Sequence, residues 1–189
     1  MSSFATQFKN QMIDALITSK TRIKLLTRLF LNANSSAYLR GLEGEFGESS
    51  NSIRLELNRF EKAGLLTSSQ EGMKKVFRAN TRHPLFLDIH NILLKHLGLD
   101  QVIQKVISGL GDICRLYVTG DYANGMDTGV IELLFIGNSV DGEYLANLIN
   151  KAEKLINRKI SYSINSEEEE KDFLLGKEDT DFLLLWQCE

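Results

Sequence analysis

A change of residue periodicity near the middle of the chain most constrains its fold. Before the glycine-bearing stretch Ser108–Asp112, apolar residues recur mainly at helical spacing, whereas runs of β-branched and apolar residues follow it. The runs at 114–119 and 130–136 predict buried strands, with a helical segment and an alternating segment after them. At 189 residues the chain is long enough for two small cores. The sequence therefore predicts an α+β protein with a mostly helical first half and a small α/β second half.

Three short helices are predicted within the first half. The first begins at the cap residue Ser19, the second ends at Gly47, and the third follows the serine- and asparagine-rich residues 49–52 and ends near Gly64. Two short strands then turn through a polar, glycine-containing segment within residues 65–79. These predictions place three helices ahead of a two-stranded turn.

The net charge of -3 conceals an asymmetry between the two halves. Residues 1–98 hold 14 Lys and Arg against 8 Asp and Glu, a net charge of 14 - 8 = +6. Residues 99–189 hold 8 against 17, a net charge of 8 - 17 = -9. A basic half joined to an acidic half indicates that the first half binds a polyanion and the second does not.

The first half resembles a known class of DNA-binding domain. Residues 49–66, SSNSIRLELNRFEKAGLL, resemble the recognition helix and first wing strand of winged-helix repressors of the ArsR and MarR type. Residues 38–42, YLRGL, resemble the helix that precedes it in those families. The resemblance covers residues 16–82 and implies a winged helix-turn-helix that binds double-stranded DNA. Winged helices also act as protein-interaction modules, so an adaptor without DNA binding is an alternative.

The predicted DNA-binding residues lie on the third helix and on the wing. Ile53, Leu57 and Phe60 are expected to anchor the helix on the core and turn its polar side chains outward, where Arg and Asn match guanine and adenine edges. Basic wing residues would reach phosphates. The set comprises Ser49, Ser50, Asn51, Arg54, Asn58, Lys74, Lys75 and Arg78. Leu55 departs from the resemblance, because these families often carry a polar or basic residue there.

The second half resembles the core of the minimal nucleotidyltransferase family. Residues 116–125, LYVTGDYANG, and 130–137, VIELLFIG, are similar to its strand, its Gly-Ser-x-Ala-x-Gly turn and its strand with two aspartates one residue apart. The resemblance covers residues 112–170 and implies a turn that holds nucleotide phosphates beside two divalent metals. The later strand, which usually supplies a third carboxylate, has Ser161 and Ser163 instead.

The resemblance also implies a vestigial nucleotide site. Gly120 and Gly125 match the turn, but Asp121 replaces the serine and would repel a triphosphate. The first metal aspartate falls on Val130, which leaves only Glu132 at the second position. Two divalent cations need several anionic oxygens, so we expect no metal, no cofactor and no catalysis here. An active nucleotidyltransferase is the alternative.

The whole chain is similar to a group of bacterial transcriptional regulators that fuse a winged helix to such a degenerate domain. The predicted domains are a winged helix over residues 1–82, connecting helices over residues 83–111, and a nucleotidyltransferase-like domain over residues 112–189. The apolar stripe from Leu85 to Leu97 exceeds what a winged helix needs for its own core and predicts a symmetric homodimer. The second domain would then serve dimerisation or ligand sensing.

Composition predicts a cytoplasmic protein without a membrane partner. No apolar run approaches the length of a membrane span, and the first residues lack the apolar core of a secretory signal. Cys114 and Cys188 show neither metal-ligand spacing nor a framework of pairs, which suits a reducing compartment. The apolar residues 182–186 are expected to pack on their own domain, with an oligomer contact as the alternative.

Overall fold

A computed structural model of the chain describes residues 16–107, 110 and 113–188. It has a mixed α+β fold with two small sheets. The described chain divides into two compact units, the first ending at His96 and the second beginning at Leu97. This division falls within the predicted connecting segment.

The first unit combines helices with a three-stranded antiparallel sheet of order β1-β3-β2. Its elements are α1 (Lys20–Phe30), β1 (Ser36–Tyr38), α2 (Leu39–Phe46), α3 (Ser50–Lys62), β2 (Leu66–Glu71), β3 (Lys74–Ala79) and α4 (Phe86–Leu97). The three short helices and the hairpin were predicted. Strand β1 was not, because three residues are too few to show a periodicity.

Local capping sets the bounds of the three short helices. The Ser19 hydroxyl accepts a hydrogen bond from the Arg22 amide at 3.3 Å, and the Ser49 hydroxyl accepts one from the Ser52 amide at the same distance. Gly47 ends α2 with φ of +63°, a left-handed conformation that favours glycine. The predicted ends of these helices are confirmed.

The core of the first unit forms where α3 packs on α1, α2 and the sheet. Ile53, Leu57 and Phe60 are buried, which confirms the predicted anchoring face of α3. Glu56, which the sequence did not single out, is also buried. Arg22 donates to both of its carboxylate oxygens at 2.9 and 3.2 Å, so the charge is compensated.

The second unit is built on a four-stranded mixed sheet of order β6-β5-β4-β7. Its elements are α5 (Leu99–Ile107), β4 (Arg115–Thr119), α6 (Gly120–Ala123), β5 (Val130–Ile136), α7 (Gly142–Ile156), β6 (Lys159–Asn165), α8 (Glu167–Leu174) and β7 (Phe182–Gln187). Strands β5 and β6 are parallel and joined through α7, and the other neighbours are antiparallel. The predicted capping box at Ser166 is confirmed.

In this sheet, Val130 differs from the expectation drawn from the sequence, and residues 182–186 have a more definite place than the sequence predicted. Val130 was expected in a buried strand but is 43% exposed. The reason is that β4 ends at Thr119, opposite Glu132, so the first two residues of β5 have no partner on β4. Residues 182–186, for which the sequence predicted packing on their own domain, belong to β7, an edge strand paired with β4.

A buried ion pair fixes α8 on the sheet. Arg115 donates to both oxygens of Glu170, each at 2.7 Å, and the Tyr117 hydroxyl donates to Glu170 at 2.7 Å. The hydrogen bonds from Arg115 hold the pKa of Glu170 below its usual range. Burial, with the adjacent Glu170, raises the pKa of Tyr117 to about 12. Among the described helices, none combines the length and apolarity needed to cross a membrane.

Candidate functional site

Helices α2 and α3 and the β2–β3 hairpin enclose a groove of about 520 Å³. Its lining residues are Tyr38, Leu39, Arg40, Arg54, Leu57, Asn58, Met73, Lys74, Lys75 and Phe77. Four of these side chains are cationic, and within the described chain none of the lining side chains is acidic. The groove therefore presents concentrated positive charge with an apolar floor.

Helix α3 contributes Arg54 and Asn58 to this groove. The two residues lie one turn apart and are exposed, whereas the neighbouring Ile53 and Leu57 are buried. Arg54 forms no ion pair with any residue that the structure describes, so its guanidinium is available to an external acceptor. An exposed arginine and an asparagine on one helix edge can both form bidentate hydrogen bonds to base edges.

The predicted residues at the start of α3 lie outside the groove lining. The Ser49 hydroxyl is used as the helix cap, while Ser50 is partly exposed and Asn51 exposed beside it. Leu55, the departure from the winged-helix pattern, is 50% exposed on the outer surface of the helix.

The hairpin brings Lys74 and Lys75 to the groove. Lys74 Nζ lies 4.2 Å from the centroid of the Tyr38 ring, a cation–π contact that leaves its charge unneutralised. Lys75 Nζ lies 2.8 Å from a carboxylate oxygen of Glu61, and this hydrogen bond holds the pKa of Glu61 below its usual range. At the hairpin tip the Met73 side chain is fully exposed.

The structure does not bring Arg78 to this groove. Arg78 shares a face of β3 with Lys74 but lies four residues further along the strand, away from the hairpin tip and beside β2. There it donates to Ser69 at 3.0 Å and to Glu71 at 2.9 Å. Sequence reasoning missed Arg40, which lines the groove from the start of α2.

Of the predicted vestigial site, the structure brings Gly120 and Glu132 together at the end of β4. Gly120 has φ of +65°, and a Cβ added there would lie 2.7 Å from the Glu132 carboxylate carbon. Asp121 is exposed in the first turn of α6, and Gly125 is buried. Val130 brings no oxygen to this edge. Across the described residues, no group of three His, Cys, Asp or Glu side chains is placed to hold a metal ion.

A partly buried cluster that the sequence did not reveal holds the turn before β5. Asp127 accepts hydrogen bonds from both Tyr122 and Arg158. Burial opposes ionisation of Asp127, but these hydrogen bonds outweigh it and lower the pKa of this carboxyl. Burial, together with Asp127, raises the pKa of Tyr122. No sequence signal could have found the cluster, because only the pairing of β5 with β6 brings Arg158 to Asp127.

Comparisons with known proteins do not assign the chain to a family. No protein-family model matches the chain, and no curated protein matches it. The chain is similar to a solved structure from Sulfolobus solfataricus described as a "putative nucleotidyltransferase", with 22% sequence identity over 48% of this chain and 78% of that chain. The TM-score is 0.33, and at that value the likeness carries no argument about fold or activity. The ArsR and MarR resemblance gains no support from these comparisons.

Proposed function

We propose that the first unit is a winged helix-turn-helix domain that binds duplex DNA. The observation that supports this proposal most strongly is the groove in which Arg40, Arg54, Lys74 and Lys75 converge. A groove with four cations and no lining carboxylate matches the charge of a phosphate backbone. The order of helices α1 to α3, followed by a hairpin, agrees with a helix that enters the major groove while the hairpin lies on flanking DNA.

In this proposal the groove side chains divide into two roles. Arg54 and Asn58 read base edges, since their side chains are exposed on α3 and carry the donors that guanine and adenine accept. Arg40, Lys74 and Lys75 neutralise phosphates, which strengthens binding to every sequence to a similar degree. The acidic second half, with a net charge of -9 over residues 99–189, takes no part in DNA contact.

Selection of bound duplexes from a random pool, followed by fluorescence anisotropy on the selected sequence, tests the proposal. Arg54→Ala should weaken binding to the selected duplex roughly tenfold while binding to random duplex changes less. Arg82→Ala removes the same charge from an exposed position outside the groove and is the matched control. Binding to a protein partner with no retained duplex would favour the adaptor function instead.

We also propose that the whole chain is a transcriptional regulator whose second unit does not transfer nucleotides. The support is chemical: Glu132 is the one carboxylate at the two strand positions where the family carries metal ligands, and Val130 occupies the other. Losing a ligand removes the charge neutralisation on which phosphoryl chemistry depends. Labelled ATP, CTP, GTP and UTP with Mg²⁺ or Mn²⁺ and cell extract should give no transfer. Transfer that disappears in Glu132→Ala would establish the active enzyme instead.

A further inference from the structure

The two cysteines of the chain lie opposite each other at one end of the sheet in the second unit. Cys114 immediately precedes β4, and Cys188 immediately follows β7. The antiparallel register pairs Arg115 with Gln187, so the next pair outward is Cys114 with Cys188. The Cys188 amide donates to the Cys114 carbonyl oxygen at 2.9 Å, which shows that the pairing continues to the cysteines.

This pairing puts the two sulfur atoms within reach of each other. Both cysteines are free thiols, and Cys188 lies close enough to contribute to the raised pKa of Cys114. Residues directly opposite in an antiparallel pair have Cβ atoms about 4.5–5.5 Å apart, close to the separation that a disulfide spans. Spacing along the chain gave no sign of this pair, because the residues between them include almost the whole second unit.

The two thiols differ in their surroundings. Cys188 is exposed, so a small oxidant reaches its sulfur directly. Cys114 is partly buried, and its Sγ lies 3.6 Å from a Glu167 carboxylate oxygen. Burial, reinforced by Glu167, raises the pKa of the Cys114 thiol. These differences assign Cys188 as the sulfur oxidised first and Cys114 as the sulfur that closes the bond.

We infer that Cys114 and Cys188 form a reversible intrachain disulfide when the protein meets a peroxide. The Cys188 thiolate attacks one oxygen of hydrogen peroxide and breaks the O–O bond, which gives a sulfenic acid and, after protonation of the hydroxide, one water. The Cys114 sulfur then attacks that sulfenic sulfur, the S–S bond forms, and a second water leaves. The two thiols together lose two electrons and two protons, and the peroxide is reduced to two waters. A dithiol reductant reverses the change.

The disulfide would tie edge strand β7 covalently to central strand β4. Because the closed loop runs from residue 114 to residue 188, it would restrict most of the second unit when unfolded. The oxidised protein should therefore resist unfolding of this unit more than the reduced protein. Trp186, the single tryptophan, lies on β7 opposite Leu116 and reports that unfolding by its fluorescence.

Titration of free thiols in the full chain, with and without hydrogen peroxide, tests the inference. In the native protein the thiol content should fall from two per chain to none, and dithiothreitol should restore both. Mass mapping without reductant should recover one crosslinked peptide pair that contains both cysteines. The rate should not depend on protein concentration, and oxidation should shift the Trp186 unfolding midpoint to higher urea.

The matched control is a double variant in which the second cysteine is moved by one residue along β7. Gln187→Cys combined with Cys188→Ser keeps two cysteines and nearly the same loop, but the new side chain points to the other face of β7. This variant should form no intrachain disulfide under conditions that oxidise the native protein fully. Equal crosslinking in the control, crosslinks only between chains, or two overoxidised cysteines in the native protein would overturn the inference.

Discussion

At the scale of single residues, both the backbone conformation of Gly120 and its contact with Glu132 disfavour a side chain at this position. Its positive φ is a conformation that other residues adopt at a cost, and the Glu132 carboxylate fills the space that a Cβ would take. This close approach brings the remnants of the predicted nucleotide site together without supplying the missing ligand. The glycine therefore has a structural reason to be present that is independent of any nucleotide.

Gly120→Ala should lower the free energy of unfolding of the second unit by about 2 kcal/mol, from backbone strain and contact with Glu132. The measurement is urea unfolding followed by Trp186 fluorescence. Gly142→Ala is the control, because Gly142 begins α7, a Cβ added there would meet no atom within 4 Å, and the change should alter stability little. Equal midpoints for the two variants would contradict this account of Gly120.

The ionisation of Glu170 should make the stability of the second unit depend on pH. Since the hydrogen bonds from Arg115 lower its pKa in the folded state, this carboxylate contributes stability above its unfolded pKa of about 4.3. The contribution is lost as the pH falls through the lower, folded pKa. Glu170→Gln should therefore cost about 2 kcal/mol at pH 7, and the deficit should shrink toward pH 3. A deficit that stays constant over this range would show that the ionised form of Glu170 is not what stabilises α8.

At the scale of elements, α3 and the hairpin share one binding surface. Lys75 lies in this groove while bonded to Glu61, and such an exposed ion pair is weak enough to exchange for a phosphate. Arg78, although predicted as a wing contact, does not line the groove and is bonded to Glu71 and Ser69 of β2. The two basic residues should therefore differ in their effect on DNA.

Lys75→Ala should weaken binding to all duplexes by a similar factor, and Arg78→Ala should weaken it less. Glu61→Gln should strengthen binding, because it removes the competing carboxylate and leaves Lys75 in place. Fluorescence anisotropy on one selected and one random duplex measures all three variants. An Arg78→Ala loss equal to that of Lys75→Ala would contradict the exclusion of Arg78 from the DNA contact.

Local pattern was enough to predict most elements but not the contacts between them. The bounds of α3 followed from the Ser49 cap, its apolar spacing and the glycine after it, and the capping box at Ser166 identified α8 in the same way. The burial of Glu56, the place of Arg40 in the groove and the Cys114–Cys188 pair all depend on chain segments far apart in sequence. No periodicity reports such pairings, because they arise from packing and strand register.

At the scale of the whole molecule, the homodimer remains a prediction. Exposed apolar residues on α4 and immediately before it support this prediction. The structure buries Phe86 and Leu93 within the protein, but Leu85 is 52% and Ile92 is 45% exposed. Leu85 immediately precedes α4, and Ile92 lies in its second turn. A second copy with the same face would cover both, as two-fold DNA-binding proteins require for two half-sites.

Sedimentation velocity at high micromolar concentration should show a dimer for the native chain and a monomer for Ile92→Asp. Asn91→Asp adds the same charge to a neighbouring exposed position on α4 and should remain dimeric. A native monomer at that concentration, or equal dissociation of both variants, would rule out this face as the dimer interface.

The salt dependence of duplex DNA binding tests the central claim most directly. With Arg40, Lys74 and Lys75 on phosphates, the logarithm of the binding constant should fall with the logarithm of salt concentration at a slope of about -3 per chain. Lys75→Ala should reduce the magnitude of that slope by about one, and Arg82→Ala should leave it unchanged. The absence of duplex binding at low salt, or a slope that none of the groove substitutions alters, would contradict the account.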